Sequence, residues 1–344
     1  MTFSILNFTK LNKAIDSCMK NVFILFLFIV LISSCSEPKL IIDVSQNNVK
    51  LTFKHYEKGL FNINREEIEK SLDELAKNYP AFINGNYKDP SKIFQLNSYL
   101  NNKLNVILYK DWEERIGSYN QFHNDLNTAF SHYNYYFPDD SLPTIYTYIS
   151  GINYEEPIVI TPKEIIIGID LFYGKDYDYY SQFQIPNYIS QTFRKEYVAP
   201  KVMRNLAKHK FAAFLKGETM LENMISLGKI EYFIEAMMPT MMDSARFQFT
   251  TKQMVWCYSH EKSFWKHLTM KKHLFSKDYH TYKKFLQPGP FVSSLERDSP
   301  GRAGIFIGYR IVKDFMDKNP KVTLQELMKN TDFTTIFKAS KYNP

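Results

Sequence analysis

Apolar and polar positions fall into three regimes along this chain. The first is residues 19 to 35, MKNVFILFLFIVLISSC, where Lys20 precedes an unbroken apolar run of eleven residues from Val22 to Ile32. A membrane-spanning helix needs about 20 apolar residues, so this run is too short for a permanent span. It fits the core of a secretory signal, and Ser33 and Ser34 place small side chains just before Cys35. The second regime is mixed. LIIDV and VKLTFKHYEKGLF alternate as β segments do. Asn64 is placed to cap a helix from Arg65 to about Asn78, with Ile68, Leu72 and Leu75 at helical spacing and Tyr79-Pro80 ending it. Residues 91 to 135 predict two further helices, and the turn FPDDSLP follows. TIYTYISGI (144 to 152) and EIIIGIDLFYG (164 to 174) predict strands, joined through the partly β-like EEPIVITPK into a meander or hairpin.

The third regime, from Ile185 onward, is helical throughout. Pro200 fits the first turn of a helix. Thr219 with Glu222, Thr250 with Gln253 and Thr323 with Glu326 each match a capping box. The 219 to 238 segment is apolar almost all round, from Met224 and Ile225 to Ile234 and Met237, so it belongs in the core. In DSPGRAGIFIGYRIVKDFMDKNP (298 to 320), Ser299 is placed to cap and Pro300 to take the first helical position. Ile305, Gly308, Tyr309, Val312, Phe315 and Met316 form one face, and Arg310, Lys313, Asp314 and Asp317 the other. Gly304 and Gly308 on the buried face leave room for a neighbouring backbone. Arg302 falls in the first turn, where the helix dipole disfavours a cation, so a specific carboxylate or carbonyl partner is expected. The whole predicts a signal segment at 1–35 and one α+β domain at 36–344, predominantly helical, with a small antiparallel sheet and a helical C-terminal half.

Composition narrows the function. The formal charge of +7 falls to about +5 once Lys10, Lys13, Lys20 and Asp16 leave with the signal. That charge is diffuse and no nucleic-acid motif accompanies it, so nucleic acid is not an expected partner. Of three cysteines, Cys18 and Cys35 belong to the leading segment. Cys257 alone cannot form an internal disulfide, and within MVWCY it reads as a buried inert thiol. The 28 Phe and 24 Tyr read as a large core rather than a ligand cage.

LISSC resembles the lipobox of bacterial lipoproteins, in which the thiol, here that of Cys35, is alkylated by a diacylglyceryl group and cleavage follows just before it. Each buried CH₂ contributes about 0.8 kcal/mol, and one acyl chain alone holds only marginally, so two or three chains make the anchor. Met19 reads as the true start of such a signal. Together with the lipobox, HYNYYFP (132 to 138), IIIGIDLFYGKD (165 to 176), MISLGKIEYFIEAMMP (224 to 239), SPGRAGIFIGYRIV (299 to 312) and the terminal SKYNP resemble, in order, the gliding-motility lipoproteins B (GldB) of the Bacteroidetes. The resemblance marks Gly228, Lys229, Pro300, Gly301, Arg302, Gly304 and Gly308 as signature positions. It implies a part in surface gliding beside the envelope machinery of type IX secretion, with membrane lipid and other gliding proteins as partners and a body facing the periplasm.

The family is distantly similar to zincin-like metalloproteases, whose HExxH helix holds zinc with two His and polarises water with Glu. Here the corresponding stretch, RKEYVAPKVMRNLAKHKF (194 to 211), carries a proline and only His209, and no HExxH occurs. His260-Glu261 lacks the second His. A degenerate zincin-like scaffold without catalytic residues, metal or cofactor is therefore expected. His260, His267, His273 and His280 read as one solvated basic helical face, Asp139-Asp140 as a turn, and DYDYY (176 to 180) as a loop that could stack on a sugar through Tyr179 and Tyr180. A metal-dependent hydrolase with a divergent site and an envelope glycan binder remain as alternatives.

Overall fold

β-branched and aromatic runs place the sheet. The computed structural model describes residues 40–344, so the signal segment, Met19 and Cys35 lie outside the described residues. Its strands are β1 (Thr52–His55), β2 (Thr144–Tyr148), β3 (Ile158–Ile160) and β4 (Glu164–Gly168), in the order β1-β2-β4-β3. β1 pairs with β2 and β2 with β4 in parallel, Thr144 lying opposite both Thr52 and Glu164. Only β3 runs antiparallel, Ile158 opposite Ile167 of β4. The expected antiparallel sheet is corrected to a mixed one. β3 is a return pass at the edge, which lets β4 enter beside β2 in the same direction. Ile145, Tyr146 and Thr147 are buried in succession, as in a strand covered on both faces, where parallel pairing is at home. Alternation along one strand reports its faces, not the direction of its neighbour.

The N-terminal expectations shift in detail. LIIDV forms no strand. The segment after it gives its Val49 and Leu51 N–H groups to Ser131 Oγ and Asn127 Oδ1, both at 2.9 Å, rather than to a strand. VKLTFKHYEKGLF divides after His55 into β1 and α1 (Tyr56–Phe61). α2 (Ile68–Asn78) starts late because Asn64 Oδ1 accepts the Glu66 N–H in a local turn at 3.0 Å. Three helices follow where two were expected: α3 (Pro90–Asn101), α4 (Lys103–Arg115) and α5 (Asn120–Tyr136). Asn102 divides the first two, its extended backbone ending α3 while its side chain accepts the Leu104 and Asn105 N–H groups of α4.

EIIIGIDLFYG leaves the sheet at Gly168 and turns through a short 3₁₀ segment that buries Asp170 completely. The Asp170 carboxylate accepts the Ser150 and Ile152 N–H groups, both at 2.7 Å, and the Ser150 hydroxyl at 2.9 Å. These bonds hold Ile152 at φ 64°, a strained conformation for a β-branched residue. α6 (Asp178–Gln182) packs onto this knot, and Tyr180, buried, donates to the Asp170 carbonyl at 2.6 Å. α7 (Asn187–Ser190) closes this half.

The rest is α8 (Val198–Lys210), α9 (Met220–Met237), α10 (Asp243–Phe247), α11 (Thr251–Ser259), α12 (Glu261–Met270), α13 (Tyr279–Leu286), α14 (Ala303–Lys318), α15 (Leu324–Lys329) and α16 (Phe333–Ser340). The three capping boxes start α9, α11 and α15, and Pro200 lies in the first turn of α8. The stretch from His260 to His280 is not one helix. α12 ends at Met270 and Lys272 takes φ 56°, so the four histidines share no face. α9 is buried nearly all round and lies against α14 over the most extensive contact between any two described elements. Cys257 is buried in α11, and burial raises its thiol pKa, which disfavours the thiolate. No described helix is long and apolar enough to cross a membrane.

Candidate functional site

The signature positions converge on α14 and the loop before it. A Cβ on Gly308 would fall 1.8 Å from the Met224 carbonyl oxygen, and one on Gly228 would fall 2.2 Å from the Gly308 carbonyl carbon. The two glycines therefore let the backbones of α9 and α14 touch. Gly304 faces α13, where an added Cβ would meet Leu286 Cδ2 at 2.8 Å. Lys229, fully buried, donates to the carbonyls of Asn330 at 2.8 Å and Phe214 at 3.3 Å and lies over the Phe333 ring. Burial lowers its pKa to about 8.

Ser299 and Pro300 do not begin α14. Ser299 Oγ donates to the Glu296 carbonyl and accepts the Val292 N–H, which binds it into the preceding loop, and Pro300 is buried there. The helix starts at Ala303, with Arg302 as its N-cap in the left-handed region at φ 63°. Arg302 has the expected carbonyl partner: its Nη2 donates to Phe247 O at 2.9 Å.

Beneath Arg302 lies an ionic cluster. Arg204 of α8 grips both carboxylate oxygens of Glu231 on α9 and donates to the Arg246 carbonyl at 2.6 Å. Arg246, 1% exposed, donates to Glu231 O at 3.2 Å, pairs with Asp243, and sits 3.7 Å from Glu235 and 4.2 Å above the Tyr309 ring. Tyr309 and Lys313 each bond Glu235 at 2.7 Å. Glu231, Glu235 and Asp243 are thus engaged by Arg204, Arg246 and Lys313.

Two cations of the same region, Lys201 and Arg302, have no carboxylate partner among the described residues. They line a cavity of about 190 Å³ with Tyr188, Thr192, Gln248 and Gln253, the last two from α10's C-cap and α11. The Lys201 ammonium lies over the rings of Phe193 and Phe172, at 4.6 and 5.4 Å to the ring centres. Burial, then the positive charges of Arg302 and Arg204, hold its pKa down to about 7. Burial and Arg204 likewise lower Arg302 to about 10, against a smaller opposing pull from Glu231. Gly301 forms part of the wall, in backbone contact with Gly289: a Cβ would fall 2.1 Å from the Gly289 oxygen.

A second buried cluster joins α1 to the sheet. The Glu57 carboxylate, 1% exposed, accepts from Tyr119 and from Thr147 Oγ1, which lies 2.9 Å from both oxygens. His55 Nδ1 in turn reaches Thr147 Oγ1 at 2.8 Å, and its ring stacks on Tyr119 and on His123. A larger groove of about 400 Å³ lies nearby, lined by aromatic and aliphatic side chains that include Tyr56, Phe82 and Tyr99.

Sequence reasoning marked Gly228, Lys229, Pro300, Gly301, Arg302, Gly304 and Gly308 and did not mark Lys201, Arg204, Glu231 or Arg246. One signal was present: Glu231 lies in the middle of a mostly apolar helix. Tyr180 is not available as a sugar platform because it is buried, while Tyr177 bonds Asp111 at 2.6 Å. Asp140 anchors its turn to Tyr133 and to Lys210. Among the described residues, no group of three or more His, Cys, Asp or Glu is placed to hold a metal ion. A family model described as gliding motility protein GldB matches residues 37–344. No curated protein and no solved structure matches the chain.

Proposed function

The chain belongs to the GldB gliding-motility family, and from that premise we propose that it is a lipid-anchored, non-enzymatic component of the gliding apparatus. Its body is held at the cell envelope on the periplasmic side through acylated Cys35 and acts by contact with other proteins of the machinery. The carrying observation is the family match, which begins at residue 37, just after Cys35, and runs to the last residue. The apolar run ending in LISSC supports the anchor, since two or three acyl chains suffice where a single chain does not. The ionic cluster under α14 supports a scaffold role: its carboxylates are engaged with cations of neighbouring helices, as in a packed framework.

Deleting the gene in its host is expected to abolish colony spreading, and the wild-type gene to restore it. Cys35→Ala is expected to fail in restoration and to take up no labelled palmitate. A deletion strain that spreads like its parent overturns the motility reading, and a wild-type protein that takes up no label overturns the anchor.

A further inference from the structure

Where α8, α9, α10 and α14 come together, Arg204, Arg246 and Lys313 engage Glu231, Glu235 and Asp243, while Lys201 and Arg302, without a carboxylate partner among the described residues, face the same cavity. Placing a charge in protein without a counter-charge is unfavourable, and placing two of one sign together is more so. Amide and hydroxyl groups complete the polar wall: Gln191 spends its NH₂ on the Tyr188 carbonyl and Thr192 its hydroxyl hydrogen on the Ile189 carbonyl. Gln253 Oε1 is occupied by the Thr250 N–H, which leaves the Gln253 NH₂ free. The Gln248 carboxamide has no partner among the described residues and is carried on a residue at φ 58°. No Asp or Glu lines the cavity. Ile189, Phe249 and Pro288 supply an apolar side.

We infer that this cavity is a binding site for the carboxylate end of a small, amide-bearing acid about one amino-acid residue in size, with Lys201 and Arg302 taking the carboxylate and Gln248 and Gln253 the adjoining amide. Size supports this: drug- and cofactor-sized ligands occupy pockets of roughly 300–1,000 Å³, and about 190 Å³ holds a single residue. The two carboxamides support an amide-bearing carboxylate over inorganic phosphate, which has no amide for them to take. Capture of a terminal carboxylate is a known mode of peptide recognition. The site is independent of the motility reading, since it is tested by binding to the isolated protein.

Full-length protein in detergent micelles is titrated calorimetrically at constant ionic strength with N-acetylalanine, its carboxamide, and inorganic phosphate. The free acid is expected to bind saturably, and both the carboxamide and phosphate at least about tenfold more weakly, the scale of one lost charge-assisted hydrogen bond. Lys201→Gln is expected to weaken the acid about tenfold or more while the variant still folds, as circular dichroism reads it, because Lys201 makes no hydrogen bond or ion pair among the described residues. Arg302→Lys keeps the charge and should retain most of the binding if Arg302→Gln compromises folding. Equal binding of acid and carboxamide, phosphate binding as tight as the acid, no saturable binding in the millimolar range, or unchanged binding by folded Lys201→Gln would each overturn the assignment.

Discussion

The two halves of the molecule bury ionisable groups on different terms. Near the sheet, Glu57, His55 and His123 meet each other, two hydroxyls and stacked rings, with Lys58 the nearest permanent charge, lying over Trp112 and Tyr119. Burial raises the Glu57 pKa and lowers those of the histidines, so that cluster favours neutral forms. Among α8, α9, α10 and α14 the carboxylates of Glu231, Glu235 and Asp243 instead meet guanidinium and ammonium groups. Arg246 is held charged by Tyr309, Glu235 and Asp243 against the penalty of burial, and its pKa rises. Desolvation acts on both clusters. The outcome turns on whether a guanidinium with a carboxylate in reach is present, since its planar fork cannot be deprotonated and matches a carboxylate in pairs of hydrogen bonds.

The sharpest way to break this contrast is to remove one counter-ion. Glu231→Gln leaves Arg204 buried without its carboxylate, and the expected loss is about 3–5 kcal/mol of stability, the scale for breaking a buried pair from one side. Urea unfolding followed by circular dichroism measures it. A loss no larger than that of an exposed pair, about 1 kcal/mol or less, would mean that this half too tolerates isolated charge. Gly308→Ala tests the same half without touching charge. With the Met224 oxygen 1.8 Å from the new Cβ, α9 and α14 must separate, and about 2–3 kcal/mol is expected for overpacking. The loss should be the same at pH 5.5 and pH 7.5. A pH-dependent loss would show that packing and the ionic cluster are coupled.

The same contrast explains what the sequence disclosed. The helical half was legible because its signals are local: Thr219, Thr250 and Thr323 each find their capping partner three residues on, and the apolar surround of α9 can be read from its own residues. The glycines of α14 pointed to a close backbone approach, and Arg302 to a carboxylate or carbonyl partner. The partners themselves, Gly228 and Phe247, lie 80 and 55 residues away, and no periodicity encodes such distances. The sheet was less legible for a related reason. The residue pattern of β2 and β4 shows burial, but direction depends on where β3 runs, which is a matter of topology. Ser299 and Pro300 misled because a Ser-Pro pair before an apolar run also suits a loop, and here the Val292 N–H claims the serine. The cavity was half visible: Arg302 stood out, whereas Lys201 resembles any lysine near a helix start until tertiary packing removes its water.

The smallest expected effect probes the neutral cluster by pH. His55 has its pKa lowered to about 3, by burial first and then by the positive charges of His123 and Lys58. His123 falls to about 4, by burial and then Lys58. In the unfolded chain both titrate near about 6.5. Between these values the unfolded state binds more protons, so their contribution is fully present above about pH 6.5 and is lost as pH falls toward the folded values. Glu57 works in the opposite sense: its raised pKa lets the folded state hold a proton that the unfolded chain has released above about 4.5, which offsets part of the loss. For His55, whose side chain is 18% exposed, the net expectation between pH 7 and pH 5 is about 1–2 kcal/mol. His55→Gln keeps a group able to donate to Thr147 while removing the titration, so its unfolding free energy should fall by that much less over the same interval. Equal pH slopes for the two proteins would mean that His55 gains its proton without opening the cluster. Neutrality would then not be how this half accommodates its buried groups.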